Sequence, residues 1–323
     1  MDESDFLAER FEEHRARLRA VAYRMLGSLS EADDAVQEAW LRLSRSDASG
    51  VGNLGGWLTT VVGRVCLDML RTRTARSEES LDVRMPDPVV GGVADGIDPE
   101  HQALLADSVG LALLVVLQTL APAERLAFVL HDMFAVPFDE IGPAVGRTPA
   151  AARQLASRAR RRVRGTAAPD TDISRQREVV DAFLAASRRG DFEALVAVLD
   201  PDVVLRADTG TRFPGLSPTA HGAREVAGRA FMFRRFACFA RPALVNGAMG
   251  IVTVADGVPV SVMGLTVAGG KVVAIDILAD RERLLGLGLG VLDLGLAGQG
   301  VRGAGGAGAG RAAVRRWGGM GRP

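Results

Sequence analysis

Residues 122–164 constrain the fold most. They read as two helices, a turn at Gly146 and a third, strongly basic helix. Between Arg147 and Arg164 stand seven arginines and no acidic residue. Ala152, Leu155, Ala159 and Val163 recur at helical spacing and predict a buried stripe. Arg153, Gln154, Ser157, Arg160, Arg161 and Arg164 fall on the opposite face. Phe138, Ile141 and Val145 have the spacing of a supporting helix before the turn. Thr148 is the expected N-cap, which would aim the positive end of the helix at phosphate. The pattern is that of a helix-turn-helix whose last helix faces DNA. Pro143 lies inside the supporting helix, where it removes a backbone donor and predicts a short or kinked element.

The formal net charge of zero, taken alone, argues against nucleic acid. The average hides a split: residues 1–80 hold 14 acidic and 11 basic residues, whereas 122–165 hold 4 and 8. A local basic face, not the global sum, sets phosphate affinity. Of the 39 basic residues only Lys271 is lysine. Arginine suits bidentate contacts to phosphate and guanine, although a GC-rich genome explains most of that bias. Cys66 and Cys238 are far apart and the four histidines are scattered, so neither a disulfide framework nor a metal site is expected. The acidic N-terminus lacks a signal-peptide core, and the longest apolar run, 109–117, is too short to span a bilayer. The expectation is a cytoplasmic protein.

Along the chain, residues 5–26 predict an amphipathic helix burying Phe6, Phe11, Leu18, Val21, Ala22 and Met25. Ser30 and Asp33 suggest a capping-box start to a second helix, with Ala32, Val36, Ala39 and Leu43 inside. Asp34, Gln37, Glu38 and Leu41 look outward. After a loop over 45–56, a third helix is expected from Trp57 to about Arg73, with Leu58, Val61, Val62, Val65 and Met69 as its core. Residues 74–99 read as a linker containing SLDVRMPDPVV. A different region follows the break at 165–173. It has a helix over 174–188, burying Val179, Val180, Phe183 and Leu184, and strands over 202–207, 250–255, 258–267 and 271–279. Asp256-Gly257 and Gly269-Gly270 are hairpin signals. The region is expected to be α+β, a curved antiparallel sheet packed by helices. From Leu285 the chain becomes rich in Gly, Ala and Arg, and a mostly disordered tail is expected.

The order of parts resembles a bacterial sigma factor of the extracytoplasmic-function (ECF) type, which has regions 2 and 4 and little else. ADDAVQEAWLRL, GWLTTVVGRVCLDMLR and VGRTPAAARQLASRARRRVR agree in order and spacing, so the resemblance covers 5–73 and 105–164. Residues 174–284 look like a SnoaL-like domain. VNGAMG at 245–250 is similar to an Asn-Gly-Ala-Pro-Gly motif of sigma factors that carry this domain, with Met249 in place of proline. SLDVRMPDP resembles a linker motif of the same group. Asp208-Thr-Gly-Thr stands where Asp-Gly-Gly-Gly is usual, and Ala279-Asp-Arg-Glu-Arg-Leu replaces an Asn-Pro-Asp-Lys-Leu-like motif.

The resemblance implies a multidomain chain. Two all-α domains, region 2 over 1–76 and a region 4 helix-turn-helix over 101–165, are joined by a 77–100 linker. An α+β SnoaL-like cone over 174–284 and a Gly-rich tail over 285–323 follow. It implies that Asp33, Asp34, Gln37, Glu38 and Leu41 dock on the β′ clamp helices of core RNA polymerase, with the β flap as a second polymerase contact. Asn53 and Trp57 would read the −10 promoter element, with Arg64, Arg71 and Arg73 on the backbone and Asp68 on the same surface. Arg147, Thr148, Arg153, Gln154, Ser157, Arg160 and Arg161 would serve the −35 element. Leu81, Pro86, Pro88, Asn246, Gly247 and Gly250 would form a regulatory contact between linker and C-terminal domain. Promoter DNA is the other partner. No cofactor, metal or membrane is implied, and a small-molecule ligand of the SnoaL-like domain is left open.

Two rival readings concern the C-terminal domain and the whole chain. An enzyme would need a positioned acid or base, for which Asp208, His221, Asp256 and Asp276 are the candidates. The domain has no tyrosine to serve as an oxyanion donor, since the only one is Tyr23. The expectation is therefore no catalysis. A ligand-responsive helix-turn-helix repressor or activator would explain the basic helix and a pocket. It leaves the acidic helix and the Trp-led helix without a role.

Overall fold

The computed structural model describes residues 3–45, 53–76, 84–91, 110–165, 169–210, 218–287 and 289. The chain divides into two compact units. The first holds the helices up to residue 166; the second takes linker residues 82–98, residues 108–112 and everything from 167.

In the first unit α1 (Glu3–Leu26), α2 (Leu29–Leu43) and α3 (Leu54–Arg76) form a bundle. Phe11, Leu18, Val21, Met25, Val36, Leu43, Leu58 and Val62 are buried in it. The start of α2 differs from the expected one. Gly27 adopts a left-handed φ of 70° and turns the chain, so Ser28 becomes the N-cap and accepts from the Glu31 amide at 3.5 Å. Ser30 and Asp33 lie within the helix. α3 also begins earlier than expected, because Asn53 Oδ1 accepts from Gly56 N at 3.0 Å and caps it. Its buried stripe runs through Leu58, Val61, Val62, Val65, Cys66 and Leu70, whereas Met69 is only half-buried. The stripe is wide because α3 is packed from two sides. At Gly63 a Cβ would lie 2.9 Å from Leu126 Cδ1, so any larger residue there would have to displace the Leu126 side chain.

Among the described residues four further helices follow: α4 (Leu111–Gln118), α5 (Pro122–Phe128), α6 (Phe138–Val145) and α7 (Pro149–Arg164). A π-helical turn, Val129–Met133, extends α5. Leu111 and Ala112, the first residues of α4, belong to the second unit.

The second unit is α+β, as its alternating strands predict. Helices α8 (Ile173–Arg189), α9 (Phe192–Val198) and α10 (Ala223–Met232) pack on a seven-stranded sheet of order β1-β4-β5-β6-β7-β2-β3. The strands are β1 (Val90–Gly91), β2 (Leu199–Asp208), β3 (Thr219–His221), β4 (Ala240–Val245), β5 (Ala248–Ala255), β6 (Val258–Ala268) and β7 (Lys271–Leu278). Among the described residues only β2 and β7 pair in parallel. A last short helix, α11 (Arg281–Gly286), is capped by Asp280, whose Oδ1 accepts from Arg283 N at 3.0 Å.

The four expected strands are present. Three were not foreseen. β1 and β3 are too short for a pattern, and β4 contains Arg241 and Pro242. The β4–β5 hairpin turns on Asn246-Gly247, with φ of 50° and 76°, the same left-handed pair as at Asp256-Gly257. The expected tail lies outside the described residues, apart from its first few positions.

Met249 repays its place in this hairpin. Its backbone N–H donates to Gln176 Oε1 at 2.8 Å, and Gln176 is buried. Proline, the residue of the similar motif, has no N–H to give. Met249→Pro is expected to cost about 1–3 kcal/mol by leaving that oxygen without its donor. Urea denaturation of the full chain measures it; an unchanged midpoint would mean that Gln176 finds another partner.

Candidate nucleic-acid interface and linker contact

The basic helix α7 is built as its sequence suggests. Thr148 Oγ1 accepts from Ala151 N at 3.3 Å, and Gly146 makes the turn with a φ of 69°. α6 remains helical through Pro143, which faces solvent. The buried stripe is Ala152, Ala156 and Ala159; Leu155 and Val163 are half-buried. Three alanines bring α7 close to its neighbours and turn the helix slightly from the expected face. Thr148→Ala is expected to lose about 1 kcal/mol of stability in this unit, as cap removal does elsewhere. Thermal denaturation with Thr148→Ser as a control reads it, since serine keeps the acceptor.

The seven arginines are not equivalent. Arg160 Nε donates to Asp132 Oδ1 at 2.5 Å and is half-buried. Arg158 and Arg162 converge on Glu124, at 3.8 and 2.8 Å. Arg153 is exposed with its guanidinium 5.2 Å from the Phe138 ring centroid, a contact that steadies it without neutralising it. Arg147, Arg161 and Arg164 are exposed and form no ion pair with another described residue. Gln154 and Ser157 are exposed between them.

The remaining sequence-predicted residues fall in two groups on the bundle. On α2, Asp34, Gln37 and Leu41 are exposed, whereas Glu38 pairs with Arg42 at 2.9 Å. Asp33 is held by both arms of Arg19, at 2.6 and 3.2 Å. On α3, Arg64, Asp68 and Arg71 are exposed along one side and Trp57 is half-buried. Arg73 is turned away from them into an ion pair with Glu31 of α2. Asn53 is exposed, and its oxygen is occupied by the helix cap.

The linker is strapped to the sheet of the second unit. Pro86 and Pro88 are buried, a position that suits residues with no N–H to satisfy. The amides of their neighbours find partners. Met85 N donates to Asp208 Oδ2 at 3.0 Å, and Val89 N donates to Asn246 Oδ1 at 3.1 Å. Asn246 N returns a bond to Val89 O at 2.8 Å, and β1 then continues antiparallel along β4. Arg283 closes the strap. Its guanidinium reaches Asp208 Oδ2 at 2.6 Å, Asp87 Oδ1 at 2.5 Å and Met85 O at 2.5 Å. Gly247 supplies the hairpin turn. Gly250 leaves no room for a side chain, since a Cβ there would sit 2.5 Å from Met263 O. Leu81 lies outside the described residues.

Sequence reasoning did not foresee the Asp87–Arg283–Asp208 cluster. Asp208 and Arg283 stand in the two segments that depart from the family pattern. Nothing about Arg283 in ADRERL signals a partner 196 positions away.

The sheet's inner face, α8 and α10 line an apolar pocket of about 150 Å³ that is partly open to solvent. None of the candidate acids or bases lines it. Asp208 serves the strap, His221 is exposed on β3 and Asp256 holds a hairpin turn with a φ of 50°. Asp276 is buried beside Arg206, whose Nε is 2.7 Å from its Oδ1. Burial pushes the Asp276 carboxyl above the usual range, and Arg206 opposes the shift. Among the described residues no group of three or more His, Cys, Asp or Glu could hold a metal, and no helix is long and apolar enough to cross a membrane.

Comparison with known proteins decides the family. Residues 10–76 match the Sigma-70 region 2 model, and residues 110–163 match the Sigma-70 region 4 model. The chain is 39% identical over 293 residues to the ECF RNA polymerase sigma factor SigJ of Mycobacterium tuberculosis, covering 85% of this chain and 92% of the relative. The chain belongs to the ECF family of RNA polymerase sigma factors. This sigma factor acts in transcription initiation, through α1–α3 as region 2 and α4–α7 as region 4. It is also 37% identical over 209 residues to the probable ECF sigma factor SigI of the same species, which spans 64% of this chain and 72% of the relative. The crystal structure of M. tuberculosis SigJ superposes with a TM-score of 0.71 at 36% identity, covering 86% of this sigma factor and 98% of that chain. The match extends through the α+β domain, as the SnoaL-like reading expects. A repressor or activator without a polymerase-binding region does not account for region 2.

Proposed function

We propose that this sigma factor carries core RNA polymerase to promoters with the following division of labour, under control of its own C-terminal domain. The exposed part of α2, Asp34, Gln37, Glu38 and Leu41, meets the β′ clamp helices, and Asp33 shapes that face through Arg19. Region 4 also reaches the β flap. Complementary charge there steers assembly and sets its register. Asn53 and Trp57, with Arg64, Asp68 and Arg71 beside them, take the −10 element. Arg73 tunes that surface from its pair with Glu31. Arg147, Arg153, Gln154, Ser157 and Arg161 take the −35 element in the major groove, with Thr148 fixing the helix end and Arg160 bracing it against Asp132.

The strap is the observation that carries the regulatory part. A linker between regions 2 and 4 held at two prolines, two amides and a bidentate arginine has fewer conformations than a free one. The domain that holds it is fused, and so acts at high effective concentration. Pro86, Pro88, Asn246, Gly247 and Gly250 therefore form a regulatory contact, with Asp87, Asp208 and Arg283 as its charged lock. The domain acts without catalysis, since its carboxylates serve the strap, the turns and a buried pair. The protein works beside polymerase in the cytoplasm.

Run-off transcription with purified core polymerase tests this, comparing the full chain with a 1–165 fragment on a genomic promoter library. A change of tenfold or more in the amount or choice of transcripts is expected on removing the domain. Identical transcripts from both would remove the regulatory role and leave the sigma role standing.

A further inference from the structure

The charges of the second unit are unevenly matched. Arg175, Arg177, Arg206, Arg224, Arg229 and Arg283 each pair with a carboxylate. Arg188, Arg234, Arg235 and Arg241 form no ion pair with another described residue. These four gather where the end of α8 meets the segment between α10 and β4. Arg188 donates to Ala237 O at 3.2 Å and to Ala240 O at 2.8 Å. Arg241 donates to the same Ala240 O at 3.0 Å and to Cys238 O at 2.7 Å. Arg234 lies 4.3 Å from the Phe231 ring centroid, and its Cδ is 3.8 Å from where a Cβ at Gly190, just past α8, would stand. Arg235 lies 4.9 Å from the Phe236 centroid.

Carbonyls and ring faces orient a guanidinium without cancelling its charge. The C-terminus of α8 favours a cation at position 188, but it does not account for the other three. Two carboxylates border the patch. Asp191, beside Gly190, accepts from Ala194 N at 3.0 Å and caps α9. Asp256 holds a hairpin turn next to Ala255, which packs with Phe236. Neither pairs with the four arginines. Arg188, Arg234 and Arg235 are exposed, and Arg241 is half-buried. Between Phe231 and Arg241 only Phe, Met, Arg, Ala and Cys occur. The segment offers charge, but no Asn, Gln, Ser or Thr to read a base edge.

We propose that this patch is a further nucleic-acid contact of the chain, one that binds the phosphate backbone of the promoter duplex without reading its sequence. Duplex DNA carries one phosphate charge per about 1.7 Å of its axis, so it can meet several fixed guanidiniums at once. An arginine fork also bonds phosphate through two N–H groups, which the compact charge of lysine does not. The α+β domain then adds affinity that is independent of sequence to the contacts of regions 2 and 4. The proposal rests on the sigma role, but its first test uses DNA without a promoter, so the two can fail separately.

The full-length protein is titrated onto a duplex of arbitrary sequence at several salt concentrations. The double variant Arg234→Gln, Arg235→Gln is expected to bind about tenfold more weakly and to reduce the magnitude of the salt slope by about 1.8, as the loss of two phosphate contacts does. Arg234→Lys with Arg235→Lys keeps both charges and should keep the slope. An unchanged slope in the Gln variant would overturn the contact. Equal losses in the Gln and Lys variants would overturn it too, because charge would then not be what binds. Cys238 provides the second reading. It is exposed within the patch, whereas Cys66 is buried and burial pushes its thiol up, so a thiol-directed photo-cross-linker attaches at Cys238. With core polymerase on a promoter from the run-off library, the labelled full chain is expected to cross-link to DNA. Cross-links only to a polymerase subunit, or only within the chain, would identify a protein occupant and overturn the proposal.

Discussion

Arg283→Ala is expected to release the linker from the sheet. The guanidinium is the only cation between the Asp87 and Asp208 carboxylates among the described residues, and it also bonds Met85 O. Both carboxylate side chains are less than 15% exposed, at 13% and 14%. Removing the arginine takes the shared cation from two carboxylates that are largely desolvated, and losing a charged partner in such a setting costs about 3 kcal/mol. The strap, not the whole domain, takes that cost, because β1 is only two residues long and lies at the edge of the sheet. Amide exchange at Met85 and Val89 in the full chain should therefore accelerate about 100-fold, with the sheet interior unchanged. Arg283→Lys keeps the charge but loses the planar fork that reaches two carboxylates and a carbonyl at once, so an intermediate acceleration is expected. Unchanged exchange in Arg283→Ala would mean that Asn246 and the buried prolines hold the linker by themselves.

The strap also marks where the sequence stops being legible. Local chemistry was readable: Thr148 as a cap, Gly146 as a turn, and the strands beside Asp256-Gly257 and Gly269-Gly270 each follow from a few adjacent residues. Asn246-Gly247 carried the same turn signal as Asp256-Gly257, yet β4 before it, with Arg241 and Pro242, does not look like a strand. Its pairing becomes intelligible only with β5 beside it. The arginine stripe was readable as a face but not as a set of partners. Glu124, which lies earlier in the helix-turn-helix, takes up Arg158 and Arg162, and Asp132 takes up Arg160. Helical spacing places Arg73 off the core stripe and the family resemblance gives Asp33 a docking role, whereas ion pairs between helices hold both. A period of 3.6 residues shows which side of a helix is polar; it does not show which polar groups are already matched by a neighbouring helix.

Arg125→Ala is the second large effect, and it concerns how regions 2 and 4 pack within the first unit. Arg125 is buried, and it bonds Met25 O at 2.7 Å and Gln118 O at 2.8 Å. These carbonyls lie at the C-terminal ends of α1 and α4, where the last turn of a helix leaves acceptors without partners and favours a cation. Burial, with some repulsion from Arg73, lowers the Arg125 pKa to about 10, so it stays charged at any pH near neutral. Alanine would take the donor from the buried Met25 carbonyl and the part-buried Gln118 carbonyl and leave the volume of a buried side chain unfilled, for a combined loss of about 3–5 kcal/mol from this unit. A drop in the urea midpoint of the full chain measures it. On the proposed division of labour the consequence for transcription has the opposite sign. Promoter elements near −10 and −35 are about 25 base pairs apart, or about 85 Å of helix at 3.4 Å per pair. An arginine of region 4 bonded to a carbonyl of region 2 holds the two regions in contact, so the packed unit cannot span that distance and must open on polymerase. The variant is therefore expected to lose stability when free yet to keep or raise its transcript yield with saturating core polymerase. A loss of transcripts in proportion to stability would show that the packed arrangement is retained during initiation.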